Sequence, residues 1–150
     1  MIVRLFFWNG MKKTLEMFDA WNEMKKKIEF WKLWDKSLNV GEFWWYREWI
    51  NIGNEISKDW FYQRPCIVLQ NNFWNWLYLI APITTKYHKW LKKRYISVFN
   101  PQKYNLQQCR IVINQIKLID KKRFFCKTNN HTRNESFIKI ISNQYKKIIN

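Results

Sequence analysis

From Leu15 onward apolar residues return every third or fourth position, at Phe18, Trp21, Met24, Ile28, Trp31, Trp34 and Leu38. Lys12, Lys13, Lys25, Lys26, Lys27 and Lys36 lie before and among them. This spacing makes one side of a helix apolar and the other charged, and predicts an amphipathic helix of about 25 residues. Asn39-Val40-Gly41 ends it, because glycine is the usual residue just past a helix end. The lysine face suits an RNA backbone, although a solvated helix face has the same pattern.

At Glu42 the texture changes to short β-branched and aromatic runs between polar stretches, the signature of strands. The candidates are Glu42 to Glu48, Cys66 to Gln70, Trp76 to Ile83, Arg94 to Phe99 and Cys109 to Leu118. Five short strands without helices between them predict a small, strongly bent barrel. A second helix is expected after Thr132-Arg133-Asn134-Glu135, which has capping-box spacing, with Phe137, Ile140, Ile141, Tyr145, Ile148 and Ile149 on one face. The expected organisation is a helical extension over residues 1–40 and a mainly β domain with its closing helix over 41–150.

Charge adds a polyanionic partner to this picture. The chain carries 27 Lys and Arg against 11 Asp and Glu, and 16 of the basic residues fall within residues 86–150 beside only two acidic ones. Such an excess does nothing for folding and raises self-repulsion. Nucleic acid and an anionic membrane both fit it. The 11 Trp, 7 Tyr and 11 Phe favour single-stranded nucleic acid, whose bases stack on exposed rings, but a biased composition rich in Ile, Asn and Lys would also supply them.

Cys66, Cys109 and Cys126 are odd in number and widely spaced, which argues against a disulfide framework or a zinc site and for a reducing cytoplasmic compartment. The apolar run Ile2 to Trp8 is interrupted by Arg4, too short to span a membrane and without a cleavage pattern. No metal or other cofactor is expected, since His88 and His131 make no ligand spacing with a Cys or an acidic pair.

Two proline-marked strand ends carry the candidate chemistry. In Gln63-Arg64-Pro65-Cys66-Ile67-Val68-Leu69-Gln70 the proline holds Arg64 extended at the mouth of an apolar strand, where its guanidinium offers a fork to phosphate oxygens. Ala81-Pro82-Ile83-Thr84-Thr85-Lys86 ends the next strand with two hydroxyls and a cation. An antiparallel pairing of the two strands would allow these ends to be neighbours that converge on one phosphate. Gly53-Asn54-Glu55 adds a turn and a carboxylate, and His88 a second candidate proton acceptor.

Taken in order, Gly41-Glu42 with Phe43-Trp44-Trp45, Gly53-x-Glu55, Arg64-Pro65, Ala81-Pro82-Ile83-Thr84 and the run from Asn114 to Arg123 resemble the MazF/PemK family of type II toxin-antitoxin toxins. The resemblance covers most of residues 41–123. Trp21-Asn22 and Lys25-Lys26-Lys27 are similar to a PemK-like subgroup with an N-terminal helical extension. It implies an SH3-like barrel, a homodimer, and a toxin endoribonuclease, or mRNA interferase, that cuts single-stranded RNA by attack of the substrate's own 2′-hydroxyl. The products are then a cyclic phosphate and a 5′-hydroxyl, and no metal is used. The family's catalytic residues fall on Arg64, Thr84 and Glu55, with Lys86, Trp44, Thr85 and Lys117 as expected RNA contacts and an acidic cognate antitoxin as partner. The spacer between Glu55 and Arg64 lacks the family's usual glycines, and Asn114 stands where a small or acidic residue is common. The competing readings are a non-enzymatic toxin that poisons gyrase, as the related CcdB toxins do, and a degenerate member that binds RNA or antitoxin without cutting.

Overall fold

A computed structural model describes residues 13–31, 37–48, 63–72, 76–84, 95–98, 109–131 and 135–149. Helix α1 spans Leu15–Phe30 and is capped by Thr14, whose Oγ1 accepts the Met17 N–H at 3.4 Å. It is shorter than the periodicity predicts. Trp31 turns extended at its end, and Leu38, expected on the helix stripe, is buried instead among sheet residues. Trp21 and Ile28 are buried on α1 with Met17, Phe18 and Met24 against them, while Leu15 and Phe30 are exposed.

The strands are β1 (Glu42–Arg47), β2 (Gln63–Asn72), β3 (Leu77–Thr84), β4 (Tyr95–Val98), β5 (Cys109–Val112), β6 (Lys117–Asp120) and β7 (Phe124–His131), followed by helix α2 (Glu135–Ile149). They form one antiparallel sheet in the order β4-β5-β3-β2-β1-β7, with β6 also on β3. The fold is therefore mainly β with two helices, as the sequence indicates. The details differ: among the described residues there are seven strands where about five are expected, and the sheet is an open path and not a closed barrel. The single run expected over Cys109 to Leu118 is two strands, because a 3-10 turn at Ile113–Gln115 bends the chain. Both halves pair with β3, β5 near its end and β6 near its start.

Alternation divides the sheet into two faces. Trp44, Tyr46, Cys66, Val68, Tyr78 and Ile80 face one core with Leu38, Ile119 and Phe124. Phe43, Ile67, Ala81, Ile83 and Ile111 face the other, where Ile141 of α2 is buried with Ile138 and Tyr145 beside it. Ile140, expected on the packed face of α2, is half exposed. Gly41 enters β1 with φ 84° while its N–H reaches the Val68 carbonyl at 2.8 Å, a left-handed close approach that suits glycine. Trp76 adopts φ 55° before β3, with its ring exposed and the Lys121 ammonium 4.6 Å from the ring centre.

The run after β6 ties the helical extension to the sheet. Asp120 caps a 3-10 turn at Lys121–Arg123 by accepting the Lys122 N–H at 2.7 Å. Lys122 then reaches the Glu29 carboxylate at 2.8 Å, and the Arg123 guanidinium lies 5.9 Å from the Trp21 ring. Arg47 completes the attachment, with its guanidinium 3.9 Å from the Trp31 ring and 5.5 Å from Phe125. Burial pulls its pKa down, and the attraction of its charge to the two ring faces offsets part of the cost of that burial.

Candidate active site

Two prolines shape the end of the sheet at which the candidate residues meet. The β2–β3 ladder pairs Val68 with Ile80, Ile67 with Ala81 and Cys66 with Pro82. Pro82 and Pro65 have no N–H to donate, so bridging stops there although both strands continue. The same register, carried two residues further, sets Arg64 opposite Thr84. On its other side Arg64 pairs directly with Tyr46 of β1. Tyr46, Arg64 and Thr84 thus make a row across three strands, on the face that carries Cys66, Val68 and Ile80.

Glu48, just past β1, gathers this row. Its carboxylate accepts hydrogen bonds from the Tyr46 hydroxyl and the Lys117 ammonium, and its Oε2 lies 3.8 Å from Arg64 Nε. The side chain of Glu48 is only 3% exposed and that of Arg64 12%. Burial pushes the Tyr46 hydroxyl pKa up, so it stays a neutral donor. Lys117 Nζ sits 5.6 Å from the Tyr46 ring, and burial, aided by the charge of Arg123, brings its pKa down to about 8. A guanidinium held in place by a buried carboxylate is a group able to bind a phosphate in a fixed orientation.

Residues 39–145 match the sequence pattern of the PemK-like, MazF-like toxin of type II toxin-antitoxin systems. The chain belongs to this toxin family. No individual curated protein matches it. For a PemK-like toxin the expected catalytic pair, Arg64 and Thr84, stands at one end of a single sheet face, with Lys117 entering the same cluster from β6. Trp44 does not suit its expected RNA contact. Its ring is buried, edge-on to Phe124 at 6.2 Å, and its Nε1 donates to Glu42 at 2.9 Å, so no base can stack on it. Glu55, Thr85 and Lys86, together with His88, lie outside the described residues.

Sequence reasoning missed Glu48, although the alternation of Trp44, Tyr46 and Glu48 marks all three as pointing to one side. Cys66 is enclosed between β1 and β3, and burial pushes its thiol pKa well up, so it is core and not a nucleophile. Among the described residues no helix is long and apolar enough to cross a membrane.

Proposed function

We propose that this toxin is a metal-independent endoribonuclease that acts on single-stranded RNA in the cytoplasm as a homodimer and is restrained by an acidic antitoxin. The observation that carries this reading is that β2 and β3 bring Arg64 and Thr84 to neighbouring strand ends, each two residues past the paired Cys66 and Pro82. In the reaction the 2′-hydroxyl gives up its proton and its oxygen forms a bond to phosphorus as the bond to the 5′-oxygen breaks; the departing oxygen takes a proton from water, leaving a cyclic phosphate and a 5′-hydroxyl. Negative charge grows on the non-bridging oxygens, and Arg64 stabilises it more in the transition state than in the ground state. The Thr84 hydroxyl donates to one of those oxygens. Glu48 is a positioning residue: its oxygens already serve Tyr46 and Lys117, so it fixes Arg64 rather than taking the 2′ proton. Glu55 remains the proposed proton acceptor. The charge excess of residues 86–150 favours both the RNA strand and an acidic antitoxin segment that competes for the same groove.

The test is cleavage of a long RNA in EDTA, with the new ends identified by mass. Cyclic phosphate and 5′-hydroxyl ends support the reading. A need for magnesium, cutting of DNA, or growth arrest without RNA cleavage would refute it and point to another toxin class.

A further inference from the structure

We infer that Arg110 extends the row of Arg64 and Thr84 into a track for two successive phosphates of one RNA strand, with Arg110 holding the phosphate beside the scissile one. This rests on the ribonuclease reading and adds the path of the strand to it.

Arg110 of β5 pairs directly with Thr84 of β3, and the next pair along the ladder is Ile111 with Ile83. Those two isoleucines belong to the core beneath α2, so Thr84 and Arg110 turn to the opposite face, the one that carries Arg64. Directly opposed residues have Cβ atoms about 5 Å apart, which separates Arg64 from Arg110 by two strand spacings, about 10 Å, with Thr84 between. Arg64 leans toward Glu48, on the β1 side, and Arg110 stands on the β5 side. Two separated cations flanking one hydroxyl fit consecutive phosphates better than a single phosphate, and like charges resist any closer approach. The RNA backbone then crosses the strands of the sheet instead of running along them. Arg64 and Lys117 both meet Glu48, and Arg110 adds a third basic side chain to the same face.

The experiment is a cycle of two changes. The parent protein and Arg110→Ala act on a short oligoribonucleotide carrying the mapped cut site, and on versions in which each flanking linkage in turn is a neutral methylphosphonate. Arg110→Ala should lower kcat/KM about tenfold, mostly through KM, as expected for one lost charged contact. One flanking methylphosphonate should cost the parent a similar factor and the variant almost nothing more. Losses that multiply at every flanking position, or a loss confined to kcat, overturn the inference. Arg110→Gln, which keeps length and polarity, repeats the cycle if the alanine variant melts early. If the parent cuts no RNA, the ribonuclease reading fails by itself. The same cycle run as binding of a 2′-O-methyl strand then decides on the track: coupling upholds it, and independence overturns it.

Discussion

Strand β1 ends in two buried carboxylates that serve opposite purposes. Glu42, at its start, is fully buried and takes the Lys127 ammonium at 2.6 Å, the Asn39 side-chain N–H at 3.0 Å and backbone N–H at 3.1 Å, and the Trp44 indole at 2.9 Å. One negative charge meets one cation and three neutral donors, and the account closes. Burial would raise the Glu42 pKa, but those donors outweigh it and hold it at about 2. Glu48, at the other end, meets two cations and a tyrosine hydroxyl. The difference lies in the partners: Glu42 fastens β1 to β7 and to the chain before it, while Glu48 holds the guanidinium on which the proposed chemistry depends.

Four measurements break or sharpen that contrast. The largest effect is expected from Arg64→Ala, which should lower kcat about a thousandfold while leaving the thermal midpoint almost unchanged. An active variant would remove the Glu48 cluster from the chemistry. Glu48→Gln keeps the shape but releases the guanidinium, and should cost about a hundredfold in kcat with little change in KM, partly recovered in Glu48→Asp. A loss confined to stability would make Glu48 a structural acid like its counterpart. Glu42→Gln should instead destabilise the fold by about 2 kcal/mol, since Lys127 loses its partner, with unchanged activity per folded molecule. Chemical denaturation at neutral pH, read beside initial rates, separates the two outcomes.

The smallest effect is an acid titration of stability. The Glu42 pKa is lower folded than unfolded, so between about 4.5 and about 2 the unfolded chain binds more protons and stability falls with falling pH. The gap between parent and Glu42→Gln should therefore narrow through that window and vanish near its lower end. A gap that persists in strong acid would mean that charge is not what Glu42 contributes.

Much of this was legible in the sequence, and the losses have physical causes. Short β-branched and aromatic runs locate β1 to β5, and the prolines at 65 and 82 single out the candidate strand ends because a proline's restriction of the backbone is a local property. Strand β7 was hidden, since Phe124-Phe125-Cys126-Lys127-Thr128-Asn129-Asn130-His131 lacks clean alternation and contains a turn-like Asn pair. The helix stripe was overextended because Leu38 has the right spacing but packs with the sheet. The expected RNA contact at Trp44 fails because a motif match does not say which side of a strand is wet, and here the ring is buried. Glu48 and Arg110 gain their meaning from register across β1, β2, β3 and β5, which no local pattern states.

Trp76 offers a different kind of handle. A bulky residue in the left-handed region carries strain of about 1 to 2 kcal/mol, here just where the chain enters β3. Glycine at that position would relax the backbone and delete the ring that Lys121 covers. The entry turn is thus a dial on which rigidity and surface aromaticity can be traded, at the end of β3 away from Thr84, and a protein engineer could turn it without touching the reacting groups.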